Sequence, residues 1–378
     1  MSVWHDVVGQ PEAVATLSDP TAMTHAWLIT GPPGSGRSNA AYAFAASLLC
    51  DDNGCGTCPH CRQVAARTHP DLAYLATERV IISIDEVRAL VQKAYFSPSV
   101  STYRVIVIED ADRMAERTSN VLLKALEEPP ERTVWILCAP SEADLLPTIR
   151  SRVRSVRLRV PSIDTVATLL TQRHGISHDD ARQAARLAQS HIGMAQRLAL
   201  SPEAALRRAE TVDLITGVTG VHDAVMAAAR LLDIATADAN ALTKERDELE
   251  LGQARASVGL GPDDPVPANM RTFFKSLEEQ QKRRATRSLR DGIDRILVDV
   301  MSVYRDVLIQ QLVESSRDHG DALINLEHAD GVRALAARRS PEQALAAIAA
   351  IEQARERIAS NVAPVLALEA MLIQASRQ

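Results

Sequence analysis

The sequence predicts an α/β domain built on a parallel sheet with helices on both faces, followed by parts that are helical throughout. Three observations predict it. Residues 105–108 read Val-Ile-Val-Ile, a continuous β-branched run of the kind a parallel sheet buries on both sides, and the run delivers Glu109, Asp110 and Asp112 to its carboxyl end. That end of a doubly wound sheet is where ligands bind. A short apolar run at 26–30 passes directly into Gly-Pro-Pro-Gly-Ser-Gly-Arg-Ser and then into an alanine-rich helix reaching residue 49. Strand, glycine loop and helix in that order bring backbone N–H groups and a helix amino terminus onto one anion. Beyond Pro161 no strand pattern recurs, and apolar residues return at helical spacing.

Taken in order, Val7, Val8, Gly9 and Gln10 form an entry loop before a helix opened by Pro11, and Val8 is the candidate to line a base-sized pocket. The glycine loop offers Gly31, Gly34, Gly36, Arg37 and Ser38 as its phosphate-contacting residues. Its spacing, G-x-x-x-x-G-basic-Ser, fits a phosphate loop, except that Arg37 stands where the pattern has lysine. A lysine ammonium is a compact charge that threads between two phosphates, whereas a guanidinium is broad and planar. ATP with Mg2+ is therefore a candidate ligand, with hydrolysis not expected. The flanking strand and helix weigh against an ordinary glycine-rich turn.

Four of the five cysteines, Cys50, Cys55, Cys58 and Cys61, fall within twelve positions. Two Cys-x-x-Cys turns share Cys58, and Cys50 closes from the end of the preceding helix, so four thiolates can surround one ion. A site closed by four cysteines has no open coordination position, which predicts a structural Zn2+. His60 lies between two ligands and competes poorly for the geometry. Further on, Ser83 N-caps a helix running to Ala94, and Val121, Leu122, Ala125 and Leu126 share a helix face that Pro129 and Pro130 terminate. Residues 133–138 read as another buried strand. Arg150, Arg152 and Arg154 then alternate with Ser151, Val153 and Ser155, and an extended chain there would point the three guanidinium groups one way. Ser162, Ser177 and Gly193 open three short helices.

From about residue 205 the period is helical, interrupted at 259–270. Lys282, Arg283, Arg284, Arg287 and Arg290 form a basic run read as a solvated helix face. After a break at Asn361 and Pro364, Leu366, Leu368, Met371 and Leu372 are expected to make a final buried face. No heptad, repeat or low-complexity block emerges.

At 378 residues the chain needs two or three domains. Only 3% aromatic residues against 46% hydrophobic ones points to helices packed through Ala, Leu, Val and Ile. A formal charge of -6 argues against a stand-alone nucleic-acid binder, so contact with DNA is expected to be local or shared. No leader pattern and no window of about eighteen uninterrupted apolar residues is present, so a cytoplasmic protein without membrane contact is expected. A reducing compartment favours metal over disulfide at the cysteines.

These motifs together resemble the clamp-loader branch of the AAA+ ATPases over essentially the whole chain. VVGQ, HAWLITGPPGSGRS, the cysteine insert, NVLLKALEEPP and SRV fall in family order, and NVAPVLALE resembles the collar signature. The resemblance implies an AAA+ domain over 1–160 with its zinc insert at 50–61, a helical lid over 161–205, and a helical collar over 206–378 through which five subunits form a ring. Active motor subunits of the family carry Lys, Asp-Glu, Thr and a lid Arg where this chain has Arg37, Glu109-Asp110, Ala139-Pro140 and Gln196. The departures imply a non-hydrolysing, stator-type subunit of the replicative clamp loader, a component of the DNA polymerase III holoenzyme. The implied partners are motor (gamma/tau-type) and delta subunits, the beta sliding clamp, and primer-template DNA reached through the assembled ring. The family's Ser-Arg-Cys motif reads Ser151-Arg152-Val153, which implies Arg152 as an arginine finger acting in trans on a neighbour's ATP. Two other readings compete: a gamma/tau-type motor in which Arg37 and Asp110 still turn ATP over, and a zinc-dependent DNA-binding protein reading through the insert, near which only Arg62 and Arg67 supply positive charge.

Overall fold

The computed structural model describes residues 2–77, 79–258, 260–261, 264–267, 270–312 and 322–376. The chain divides into two compact units, Met1–Leu200 and Ser201–Gln378.

The first unit is built on five parallel strands, β1 (Ala26–Thr30), β2 (Leu72–Leu75), β3 (Arg104–Ile108), β4 (Thr133–Ala139) and β5 (Arg154–Arg157), in the spatial order β2-β3-β4-β1-β5. Its helices are α1 (Pro11–Ser18), α2 (Arg37–Leu49), α3 (Pro59–Ala65), α4 (Ile84–Ala94), α5 (Glu116–Glu127), α6 (Pro147–Arg150), α7 (Ile163–His174), α8 (His178–Leu187) and α9 (Ile192–Leu200). β1, β3 and β4 are buried along their whole length, as their unbroken apolar runs require. Alternate residues serve opposite faces: Val105 and Val107 join Trp27, Phe44 and Ile136 in one core, while Ile106 and Ile108 join Leu28, Leu122 and Trp135 in the other. Because every strand is parallel, the glycine loop and Glu109 emerge together at the carboxyl end.

Local signals place the helices. Ser83 caps α4 in a capping box, its hydroxyl accepting from Glu86 N while the Glu86 carboxylate accepts from Ser83 N at 2.8 Å. α5 stops at Glu127, before the two prolines. The expected arginine ridge does not form. Pro147 opens α6, and the bonds Ser151 N to Pro147 O (3.1 Å) and Arg152 N to Ile149 O (2.9 Å) keep the chain coiled through residue 152. Arg150 therefore ends a helix, Arg152 lies in a turn, and only Arg154 is in β5. The third helix of the run opens at Ile192, one residue before Gly193.

The second unit is helical: α10 (Pro202–Gly217), α11 (Val221–Ser257), α12 (Arg271–Leu312), α13 (Ala329–Ala337), α14 (Pro341–Ala359) and α15 (Pro364–Ser376). Its core gathers Leu231, Val300, Tyr304, Ile351 and Leu368. The break expected at 259–270 separates α11 from α12, with residues 259, 262, 263, 268 and 269 lying outside the described ones. α11 and α12 run antiparallel past the apolar core, Ser288 Oγ donating to Ala239 O and Gln281 Nε2 to Asp247 O. The basic run on α12 is a solvated face at Lys282 and Arg283, both exposed, but not at Arg284. Arg284 is buried between Asp247 and Glu250, Lys282 pairs with Glu278, Arg283 with Glu279 and Arg287 with Asp291, and Arg290 bonds Asn361. At the end of the chain Leu368, Met371 and Leu372 are buried, but Leu366 is 58% exposed. Residues 368, 371, 372 and 375 share one helix face, and 366 lies about 200° round from 368. Among the described residues no helix is long and apolar enough to cross a membrane.

Candidate functional site

The glycine loop turns as its composition demands. Gly34 and Gly36 sit at φ 80° and 90°, a left-handed conformation that costs other residues strain, and Gly36 is the N-cap of α2. The loop's polar groups are largely answered from within. Gly31 N donates to Pro140 O at 3.2 Å, and the Arg37 guanidinium folds back to donate to Gly31 O at 2.7 Å. α9 sits on the loop: Ile192 N donates to Gly34 O at 3.2 Å, and a Cβ on Gly34 would lie 2.2 Å from the His191 ring. His191 is fixed there because its Nδ1 accepts from Met194 N at 3.2 Å, and the two residues before it, Gln189 and Ser190, are both left-handed. Val8 is half-buried in the entry loop, where Gln10 ties the chain down by donating to Arg159 O (2.7 Å) and accepting from Arg159 N (2.9 Å).

The acidic tip closes on this loop. Ser38 Oγ donates to Glu109 at 2.6 Å, the Tyr42 hydroxyl to Glu109 at 2.9 Å, and Arg67 to the same carboxylate at 2.8 Å. Burial, and then the Glu109 charge, push the Tyr42 hydroxyl well above its ordinary range. Asp110 turns back through a left-handed backbone (φ 52°) and pairs with Arg113 at 3.5 Å. Burial and the neighbouring Asp110 raise the Asp112 carboxyl. At the tip of β4, Ala139 is fully buried and Pro140 has no polar side chain, and Gln196 is half-buried on α9. Sequence reasoning missed Tyr42, Arg67 and His191 as parts of this site. Only Tyr42 left a signal, standing one helical turn after Ser38.

The four thiols converge as their spacing predicts. Cys50, Cys55, Cys58 and Cys61 have ligand atoms all within 4.8 Å of one another, with Cys50 Sγ 3.6 Å from Cys58 Sγ and 3.8 Å from Cys55 Sγ. A tetrahedron with metal–sulfur bonds of about 2.3 Å has edges of about 3.8 Å, so the spacing fits an ion of that kind. Backbone N–H groups already serve the sulfurs, from Gly56 to Cys61 (3.3 Å) and from Cys58 to Cys55 (3.4 Å). Hydrogen bonds from the Thr57 backbone and hydroxyl and from the Cys58 backbone bring the Cys55 thiol down to about 6. His60 turns away, its Nδ1 2.9 Å from His69 Nε2. The four cysteines can hold a metal ion. Arg62 is exposed, while Arg67 points to Glu109.

Arg152 lies at the other end of the sheet. Since β5 runs parallel to β1 with Trp27 opposite Arg154, Arg152 is level with His25, before β1 begins, whereas Gly31 follows its end. The two levels are six residue steps apart, about 20 Å in a strand, so Arg152 does not reach its own glycine loop. Its guanidinium pairs with Glu127 at 2.5 Å and donates to Thr148 O at 2.6 Å, leaving the side chain 33% exposed beside an open hollow lined by Thr24, His25 and Val153. Glu127, the partner, was not singled out from the sequence, although it belongs to the Leu-Glu-Glu-Pro-Pro block. Arg154 is committed elsewhere, donating to Ala22 O at 2.7 Å over the Trp27 ring.

Residues 10–162 match the family described as the DNA polymerase III delta subunit. The delta' subunit of Pseudomonas aeruginosa DNA polymerase III is 40% identical over 134 residues, covering 34% of this chain and 41% of its own. The delta' subunit of Escherichia coli is 34% identical over 180 residues, 46% and 54% of the two chains. The gamma/tau subunit of Mycobacterium tuberculosis is 33% identical over 187 residues, 47% of this chain and 32% of its own. The chain thus spans between 32% and 54% of the length of these relatives. A gamma subunit-related protein of Thermotoga maritima aligns over 96% of this chain and 98% of its own at 18% identity, with a TM-score of 0.39.

Proposed function

We propose, on the premise that this chain is of the DNA polymerase III clamp-loader family, that it is the non-hydrolysing, delta-prime-type member of the ring. In this reading it completes a ring with motor (gamma/tau-type) and delta subunits, supplies Arg152 to a neighbour's ATP, and helps load the beta clamp on primed DNA. The observation that carries the reading is the contrast within one sheet: the groups that would handle a triphosphate are bonded to one another, while Arg152, at the opposite end, rests on a half-exposed carboxylate and on oxygens of its own turn. A working site leaves its serine hydroxyl and acidic side chain to a metal ion and a polar sensor to the γ-phosphate. Here Ser38 and Glu109 share a bond, Arg37 serves Gly31, and the tip of β4 ends in Ala139-Pro140. The motor reading needs Asp110 as base, yet Asp110 is paired with Arg113. The DNA-reader alternative loses Arg67, one of its two arginines, to Glu109.

Steady-state ATPase of the isolated protein tests the assignment. Turnover is expected to be negligible, and turnover abolished by Asp110→Asn would replace the stator reading with the motor one. Zinc is proposed as the ion of the cysteine cluster, where it would fix the insert and do no chemistry, as a closed thiolate site has no open position. Elemental analysis of unchelated protein should give one zinc per chain, and Cys58→Ser should lose it; full retention would remove Cys58 from the ligand set.

In the second unit the apolar face of α15 is consumed by the unit's own core through Leu368, Met371 and Leu372. If that unit carries assembly as a collar, its contacts come from residues that face outward, such as Leu206, Met226 and Leu366.

A further inference from the structure

In a working phosphate-loop site, a strand-end carboxylate and the loop serine together cradle a divalent ion. In this chain those two groups are Glu109 and Ser38, and a third group closes the cradle from the side: Nη1 of Arg67, 2.8 Å from Glu109 Oε1. The guanidinium lies against Tyr42, its central carbon 3.2 Å from the ring centre, and the Tyr42 hydroxyl bonds the same carboxylate. A cation held by a carboxylate in front and an aromatic face behind has both its charge and its plane satisfied. The backbone commits Arg67 to this place. α3 is N-capped by Cys58, whose Sγ accepts from Cys61 N, and C-capped by Ala66; Arg67 follows at φ 61°, its N–H bonded to Val64 O at 3.0 Å. A left-handed arginine carries local strain, and strain of this kind persists only where the surroundings hold it. The cysteine cluster sets where α3 begins, and α3 sets where Arg67 ends up.

We propose that Arg67 is a built-in cation that occupies, on Glu109, the position a divalent metal takes beside a working phosphate loop, and that the cysteine insert presents it there. The insert thereby acquires a role beyond local stability: it delivers the positive charge that makes the acidic tip self-sufficient. Arg67 is a specificity-determining residue, since it excludes Mg2+ from the strand-end carboxylate whether or not nucleotide enters the loop. The inference rests on reading this loop as a degenerate nucleotide site, but it makes its own claim about metal binding without nucleotide.

The test uses Mn2+ as the probe, a hard cation that prefers the same oxygen ligands as Mg2+. Binding is read by water-proton relaxation on the full chain without nucleotide. The native protein should show only the weak background of its exposed carboxylates. Arg67→Ala should gain a site about tenfold or more tighter than that background, the size expected when an unneutralised, partly buried carboxylate becomes available. Adding Glu109→Gln to Arg67→Ala should abolish the gain, and Arg67→Lys, which keeps the charge, should not acquire it. Zinc content and circular dichroism report folding, and Arg67→Gln, closer in shape to arginine, replaces Arg67→Ala if that variant fails them. A native chain that binds Mn2+ as tightly as the charge-removed variant overturns the proposal. So does a folded, zinc-replete variant that gains nothing, or a gain that survives Glu109→Gln. None of these outcomes measures ATP turnover, so a failure here leaves the non-hydrolysing reading standing, and a failure of that reading is seen separately in the ATPase assay.

Discussion

The carboxyl end of the sheet gathers Ser38, Tyr42, Arg67 and Glu109 into bonds of 2.6 to 2.9 Å, whereas the amino end holds Arg152 through one exposed carboxylate and two neighbouring oxygens. The same chemistry, an arginine on a glutamate, thus serves opposite ends. Arg67 is wedged between ring and carboxylate on a helix that fixes its backbone, so displacing it strands a charge and costs several interactions at once. Arg152 is tethered by a pair whose partner Glu127 is 47% exposed, and exposed pairs contribute about 0–1 kcal/mol. A group held that loosely can exchange its carboxylate for a phosphate on a neighbouring surface at little cost. The difference teaches that a charged residue's availability to a partner is set by how deeply its carboxylate partner is buried, Glu109 being 18% exposed and Glu127 47%, not by its distance from the catalytic fold.

Three substitutions sharpen or break this comparison. The largest effect is expected from Arg152→Ala in a reconstituted ring. A site that depends on an arginine finger loses on the order of a thousandfold, diluted to a partial loss of clamp-stimulated ATPase by sites served by other subunits. Arg150→Ala and Arg154→Ala are the controls, and undiminished clamp loading with Arg152→Ala beside an impaired control would reassign the role. A smaller effect, on stability, is expected from Gly34→Ala. The added Cβ meets the His191 ring at a backbone conformation that only glycine adopts cheaply, so α9 must lift from the loop. A loss of about 1–3 kcal/mol in denaturant unfolding is expected, and an unchanged midpoint would mean that the contact is not tight. The smallest effect is expected from Glu127→Gln, which removes the charge holding Arg152 but leaves the Thr148 carbonyl. Stability should change by less than about 1 kcal/mol, while the salt dependence of ring ATPase should shift as the arginine loses its resting partner. A loss as deep as that of Arg152→Ala would show that Glu127 positions the finger.

Much of the α/β unit was legible because its signals are local. An unbroken β-branched run such as 105–108 can be satisfied only by burial on both faces, a Ser-x-x-Glu box placed just before an apolar run marks a helix start, and two Cys-x-x-Cys turns bring thiols together through the backbone of one short segment. The arginine ridge was not legible, because alternation implies a common side only in an extended chain and Pro147 starts a helical turn instead. The solvated reading of the basic run holds at Lys282 and Arg283 but failed at Arg284 for a similar reason. The acids that bury Arg284, Asp247 and Glu250, lie on a different helix, and nothing in the run itself announces them.

By itself, then, the sequence determined the buried strands β1, β3 and β4, the glycine loop and the serine caps, and which residue types stand at the sheet's carboxyl end, since each follows from the preferences of neighbours in the chain. It also carried the Ser151-Arg152 pair on which the proposed choice of Arg152 over Arg150 and Arg154 rests. Only the tertiary structure decided what those residues do to one another. Arg67 meets Glu109 across 42 positions and Arg152 meets Glu127 across 25, and such pairings follow from how helices pack on the sheet. A charge has no directional signature along the chain, so whether a guanidinium is spent inside or kept for a neighbour is fixed when packing chooses its carboxylate.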